Sequence, residues 1–193
     1  MTSPDRFPHV EVSSQADLHE WLLRHHQQDE AIWLVTYRKA VPGKYVTREA
    51  VLDELVAFGW IDGIRRRIDD EKTMQLLSPR RTQQWARSYK QRAERLIGAD
   101  EMQPSGLRSV ERAKATGMWD AFNDVDDLVV PPDLQDALEA APPAAAHFTA
   151  FPPSTRRNIL RWIASAKTSR TRGKRIALTV EDARSSIRVK SNG

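Results

Sequence analysis

Residues 54–81 hold the densest group of side chains that could bind or transform a ligand. Within this stretch, residues 59–63 read GWIDG, which places an indole and a carboxylate between two glycines, and three arginines follow at 65–67. Glycine lets the chain bend sharply and lets a ligand approach the backbone closely. The pattern suits a polar cleft for a small charged ligand. A turn in which Asp62 pairs with an arginine or accepts backbone N–H groups explains the same residues, because aspartate beside glycine is frequent in turns.

The string Ser78-Pro79-Arg80-Arg81 precedes a predicted helix. Positive charge is disfavoured at a helix N-terminus, so the two arginines indicate an anion site beside free N–H groups. Solvent-exposed arginines are the alternative. The candidate ligand-binding residues combine these strings with the strand before them, and they are Tyr37, Lys39, Glu54, Trp60, Asp62, Arg65, Arg80 and Trp85.

A catalytic interpretation of the same region stays open. A hydrolase or transferase would use Glu54 or Asp62 as general base, with arginines stabilising an anion. Ser78 is a poor nucleophile candidate, because no histidine lies near it in the sequence. No catalytic residue is assigned, and a non-enzymatic binding protein is the favoured hypothesis.

The second basic region lies near the C-terminus, where residues 164–175 include no acidic side chain. Such a run can grip phosphates of a nucleic acid, although it lacks interleaved aromatic residues for base stacking. A solvated helix face, or one that pairs with the acidic residues of 120–127, is the simpler interpretation. The candidate anion- or nucleic-acid-binding residues here are Lys167, Arg170, Arg172, Lys174 and Arg175.

Several kinds of chemistry are excluded or unsupported. The chain has no cysteine, which excludes disulfides, thiol nucleophiles and thiolate metal sites. The five histidines show no HxxxH or HExxH spacing, and no Walker or GxGxxG loop is present, so we predict no metal and no cofactor. The N-terminus lacks an apolar leader and no run is long enough to span a membrane, so we expect a cytoplasmic protein without membrane insertion.

The elements that must position these residues follow from periodicity and capping signals. Ser13-Ser14 offers a cap before a helix that starts at Gln15. Thr47 is expected to cap a helix that ends at about Phe58, and Gly59 is expected to terminate it. Predicted strands cover 8–12, 31–37, 61–68 and 73–77, and the last two form an antiparallel hairpin. Later helices are predicted over 83–97, 104–116 and 132–140. Two more are predicted after caps at Ser154 and at Thr179.

This order predicts an α+β fold, with a small antiparallel N-terminal sheet and its helices followed by a helical C-terminal half. Residues 141–153 are rich in alanine and proline and read as a linker. We therefore expect an α+β core domain over 1–140 and a helical basic segment over 141–193, packed on the core or tethered to it. The net charge of +4 is modest.

Taken in order, many short strings resemble the YdeI/OmpD-associated, or bacteriocin-protection, family of bacterial proteins. The strings span nearly the whole chain and are Trp33-Leu34, Tyr37, Lys39, Glu54, Phe58 through Gly63, Ser78-Pro79-Arg80, Trp85, Ala93 through Ile97, Met102, Pro104 through Leu107, Gly117-Met118-Trp119, Pro132-Asp133-Leu134, Arg161-Trp162-Ile163, Ala166-Lys167, Arg170-Thr171-Arg172 and Lys174-Arg175-Ile176. One departure is Ala57, where family members often have cysteine.

The resemblance implies a cytosolic protein associated with stress or antimicrobial-peptide resistance, with no defined reaction, cofactor or catalytic residues. Together with the residues above, it predicts binding of a small anionic ligand or a protein partner in a cleft lined by tryptophan, aspartate and arginine. A carboxylate-dependent hydrolase or transferase, and nucleic-acid binding through the basic C-terminal region, are the alternatives.

Overall fold

A computed structural model describes residues 6–185 of the 193-residue chain. The chain divides into two compact units between Asp120 and Ala121. The first unit carries a four-stranded sheet and its helices, and the second is helical. The predicted α+β class with a helical C-terminal half is confirmed. The domain boundary expected after residue 140 stays a prediction.

The sheet consists of β1 (His9–Glu11), β2 (Ile32–Tyr37), β3 (Trp60–Arg67) and β4 (Lys72–Pro79), in the order β1-β2-β4-β3. β4 pairs antiparallel with both β2 and β3, as the hairpin signal predicts. β1 pairs with β2 in parallel, so the sheet is mixed. The parallel pair follows from the helix between these two strands, because a parallel connection needs a crossover.

The helices of the first unit are α1 (Gln15–His25), α2 (Arg48–Phe58), α3 (Arg87–Gly98) and α4 (Pro104–Ala115), with a short 3-10 helix over Pro42–Lys44. Local capping sets the ends of α1 and α2. The Ser14 side chain accepts the N–H of Asp17, and that of Thr47 accepts the N–H of Ala50. Gly59 ends α2 in the left-handed conformation, at φ 76°.

The core of the first unit lies where α1 and α2 cover one face of the sheet. Ile32 and Leu34 of β2 and Leu77 of β4 supply that face, together with apolar residues from both helices. The alternate residues Trp33 and Val35 form a separate small cluster with Met74. This division follows from the two-residue repeat of a strand, which sends successive side chains to opposite faces.

The second unit contains α5 (Asn123–Asp126), α6 (Pro132–Glu139), α7 (Ala144–Ala150), α8 (Pro153–Ala164) and α9 (Ser169–Arg184). Its core gathers apolar side chains from all five helices. Residues 141–153, predicted as a linker, include α7, because Ala144 and Phe148 are buried in this core. Within the described residues, no helix combines the length and apolar character that a membrane crossing requires.

Two capping predictions for the second unit are wrong. α9 begins ten residues before Thr179, at a cap formed by Thr168, whose side chain accepts the N–H of Thr171. Thr179 is fully buried inside the helix and donates its hydroxyl to the Arg175 carbonyl. Burial against the core therefore outweighs the local preference of threonine for a helix start. Ser154 lies inside α8, which has no side-chain cap.

Candidate functional site

A cleft of about 540 Å³ opens on the first unit, between the segment after α1, the end of α2, the end of β4 and one face of α4. Four arginines line it: Arg80, Arg81, Arg108 and Arg112. The lining contains one carboxylate, Asp29, which accepts a hydrogen bond from Arg81 at 2.8 Å. Four guanidiniums against one carboxylate leave a net formal charge of +3 on the lining, so the cleft is complementary to an anion.

One face of α4 supplies four of the polar residues in the lining. Ser105, Arg108, Ser109 and Arg112 follow the spacing that aligns side chains along a helix. Ser109 is 4% exposed, and the hydroxyls of Ser105 and Ser109 have no hydrogen-bond partner among the described protein atoms. Leaving a buried hydroxyl unpaired costs about 1–3 kcal/mol. Two such groups beside arginines indicate donors held ready for a ligand.

Close backbone contact between α2 and α4 lies next to the cleft residues Gly59 and Ser105. A Cβ atom built on Gly106 would lie 2.1 Å from the carbonyl oxygen of Ala57, and one on Gly59 would lie 2.9 Å from that of Ser105. Only glycine permits these approaches. The Gln103 N–H donates to the same Ala57 carbonyl at 3.0 Å. These contacts hold the serines of α4 beside the turn at Gly59.

Arg80 joins the cleft to a buried aromatic cluster. The side chain is 3% exposed, and its guanidinium lies 4.2 Å from the ring centre of Trp85 and 4.7 Å from that of Tyr89. Burial lowers the pKa of Arg80 to about 10, and the charge of Asp62 opposes this shift. Nε and Nη2 of Arg80 have no hydrogen-bond partner among the described protein atoms. The arginine is therefore a buried cation stabilised by two rings and a nearby carboxylate.

Three of the predicted ligand-binding residues lie together here: Arg80 itself, Trp85 and Asp62. Arg80 lines the cleft, and Trp85 packs on its guanidinium. Asp62 accepts hydrogen bonds from the Tyr89 hydroxyl and, at 2.8 Å, from the Gln75 amide. The structure thus brings Asp62, Arg80 and Trp85 into one neighbourhood, and Arg80 is the member that reaches the cleft lining.

The other predicted ligand-binding residues lie elsewhere in the first unit. Trp60 is fully buried in the core and donates its indole N–H to the His26 carbonyl at 3.1 Å. Tyr37 pairs with Lys72 of β4, whereas Asp62 pairs with Leu77 of the same strand. Five residues of strand separate these two positions by about 17 Å. Lys39 is exposed beyond β2, and Arg65 donates to Thr73 at 3.0 Å.

Glu54 and Asp62, the two candidate general bases, both use both carboxylate oxygens in hydrogen bonds. Glu54 is buried and accepts from the Gln15 amide at 2.7 Å, and its second oxygen lies 2.8 Å from Nδ1 of His19. The partners of Asp62 are Tyr89 and Gln75. This bonding suits acceptors that hold the fold together, and it favours the binding hypothesis over the catalytic one.

The basic residues of the second unit divide into two kinds. Arg172 donates to both oxygens of Asp133, at 2.6 and 2.8 Å, and these hydrogen bonds hold the pKa of that carboxyl below its usual range. Arg175 donates to the Trp162 carbonyl and to the Ser165 hydroxyl. The remaining members are exposed, and they are Lys167, Arg170 and Lys174.

Sequence reasoning missed Ser105, Arg108, Ser109 and Arg112. A signal was present, because serine at position 109 falls on the apolar face of α4 beside Val110 and Ala113. A small polar residue on a buried face, with Arg108 directly before it and Arg112 one turn after it, is the pattern that points to this cleft.

Comparisons with known proteins divide the chain in the same way as its fold. No curated protein and no solved structure matches it. Residues 127–185, in the second unit, match the family described as "Bacteriocin-protection, YdeI or OmpD-Associated". The predicted resemblance is therefore confirmed for this part of the chain, and residues 10–109, which include GWIDG, match a different family. That match covers just over half of the sequence, and the chain belongs to the family of the domain of unknown function DUF8412.

Proposed function

We propose that the protein binds a small anionic ligand in the arginine-lined cleft of its first unit. The observation that carries this proposal is the meeting of four arginines with two buried serine hydroxyls that have no protein partner among the described residues. Guanidinium groups and hydroxyls donate hydrogen bonds, and Asp29 already pairs with Arg81. An anion with several acceptor oxygens would satisfy both the charge and the unpaired donors.

The second unit indicates the biological setting. Its match to the bacteriocin-protection family supports a role in that process. We propose that the ligand-binding first unit and the family-related second unit act in one protein associated with resistance to antimicrobial peptides, in the cytoplasm. Ligand binding, rather than catalysis, is the activity that the hydrogen-bonded carboxylates of Glu54 and Asp62 favour.

Isothermal titration calorimetry with sulfate, phosphate and citrate tests the anion site. The wild-type protein is expected to bind at least one of them, and Arg108→Ala is expected to weaken that binding by roughly tenfold or more, because a hydrogen bond to a charged group contributes about 1.5–3 kcal/mol. Arg48→Ala is the matched control, since Arg48 is also an exposed helical arginine but lies outside the cleft.

Two results would contradict the proposal. The first is that none of the three anions binds at low ionic strength. The second is that Arg108→Ala and Arg48→Ala reduce binding equally, because equal losses would show that general surface charge attracts the anion.

A further inference from the structure

We infer that the ligand is a phosphomonoester with a small hydroxylated organic group, such as a phosphorylated sugar or polyol. This inference rests on the anion site proposed above and names the chemical class that the site selects. It follows from the arrangement of the donors, the size of the cleft and the nature of the remaining lining.

The donors approach the cleft from two separate segments. Ser105 and Ser109 lie one turn apart on α4, with Arg108 and Arg112 on the same face, and Arg80 and Arg81 lie beyond the end of β4. A carboxylate presents two oxygens in one plane, which a single guanidinium can satisfy. A phosphate group presents three terminal oxygens in three directions. Donors on two sides of the cleft therefore match a phosphate better than a carboxylate.

The position of the serines along α4 strengthens this match. Ser105 is the second residue of the helix, where backbone N–H groups have no partner within the helix and the helix dipole favours negative charge. Ser109 is more than nine-tenths buried, and its hydroxyl lacks a protein partner among the described residues. A phosphate dianion is more highly charged than a carboxylate and gains more from the net charge of +3.

The cleft is larger than a phosphate group needs. Its volume of about 540 Å³ falls within the range of roughly 300–1,000 Å³ that is typical of sites for small organic molecules. The rest of the lining includes the side chains of Gln27, Gln28 and Thr82, which offer amide and hydroxyl groups. Phe58 is only 1% exposed, so it presents almost no ring surface on which a nucleobase could stack. These groups suit the hydroxyls of a sugar or polyol.

Calorimetric titration of the full chain with five probes tests the inference. The probes are glucose 6-phosphate, glycerol 3-phosphate, glucose, citrate and adenosine 5′-monophosphate. At least one of the two hydroxylated phosphates is expected to bind roughly tenfold more tightly than citrate and than the adenosine nucleotide, and glucose is expected not to bind.

Ser109→Ala provides a more selective comparison. This change removes an unpaired hydroxyl and leaves the arginines in place, so the urea midpoint is expected to stay at or above that of the wild type. Binding of the preferred phosphate is expected to weaken by roughly tenfold, with a much smaller change for citrate. Arg48→Ala again controls for the loss of general charge.

The outcomes separate this inference from the broader anion site. Citrate binding as tight as that of the better of the two phosphates, and sensitive to Arg108→Ala, would overturn the phosphomonoester and retain the anion site. Tighter binding of the adenosine nucleotide, or unchanged phosphate binding in a folded Ser109→Ala protein, would also overturn it. Absence of binding by every anion overturns both proposals.

Discussion

Gly106→Ala tests the contact on which the cleft depends. Gly106 lies in the first turn of α4, and its Cα faces the end of α2. An added Cβ would lie 2.1 Å from the Ala57 carbonyl oxygen and 2.8 Å from the Ala57 carbonyl carbon. Both atoms belong to the backbone, so a rotamer change cannot relieve the contact. α4 must retreat from α2 by roughly 1 Å for the atoms to regain van der Waals separation.

The expected loss of stability follows from three contributions. Overpacking against a rigid neighbour costs about 1–3 kcal/mol. The retreat also stretches the hydrogen bond from Gln103 to Ala57, which contributes about 1 kcal/mol. Alanine in place of glycine returns about 1 kcal/mol through helix propensity. The first unit is therefore expected to lose about 2 kcal/mol, which corresponds to a fall of about 1 M in the urea midpoint.

Tryptophan fluorescence can follow this unit selectively, because Trp162 is the one tryptophan of the second unit and the other five belong to the first. Urea titrations in a Trp162→Phe background would therefore report the first unit alone. Gly98→Ala is the matched control, since Gly98 ends α3 and an added Cβ there would meet no atom within 4 Å. That change is expected to be neutral or to stabilise by up to about 1 kcal/mol. Equal midpoints for Gly106→Ala and the wild type would refute the packing of α4 on α2.

Three further changes test other parts of the structure. Asp62→Asn is expected to destabilise the first unit by about 1–2 kcal/mol, because it removes a charge that offsets the burial of Arg80 and weakens the acceptor for Tyr89 and Gln75; an unchanged urea midpoint would contradict this role. Thr168→Ala removes the N-cap of α9 and is expected to cost about 1 kcal/mol in thermal unfolding followed by circular dichroism, whereas Ser154→Ala, at an uncapped helix start, should be neutral. The pKa of Asp17 is lowered from an ordinary value of 3.8 to about 2, first because its carboxylate accepts the backbone N–H of Ser13. The contribution of the Asp17 carboxylate to stability is therefore complete above about pH 4 and is lost as the pH falls toward 2. Asp17→Asn should flatten the pH dependence of the unfolding free energy below pH 4. An NMR titration of Asp17 with a midpoint near 4 would disprove the shift.

The fold class, the start of α1 and both ends of α2 could be predicted from short stretches of sequence. Ser14, Thr47 and Gly59 act on backbone groups within four residues, so their effect is visible without the rest of the chain. Thr179 shows where this approach fails. A threonine before helical residues resembles a cap, but its burial in the second core places it in the middle of α9.

The candidate cleft could be predicted only in part, for the same reason. Arg80 was identifiable because two arginines precede a helix. The sequence around Trp60 cannot distinguish a side chain that faces a ligand from one that is buried in the core, and Trp60 is buried. Tyr37 and Asp62 lie on two strands that both pair with β4, yet the pairing register separates them by about 17 Å along the strands. Register depends on contacts between strands that are far apart in the chain.

Capping groups, residue periodicity and the lack of cysteine are local or compositional properties, and they sufficed for the strands and helices up to α4 and for excluding thiol chemistry. The convergence of Arg80 with Ser109 and Arg112 required the folded chain. These residues belong to segments more than 25 positions apart. The Arg80 N–H donates to the Gly59 carbonyl, and glycines at 59 and 106 let the end of α2 approach α4 closely. A periodic pattern shows which face of α4 carries the arginines, whereas packing between distant backbones determines what that face meets.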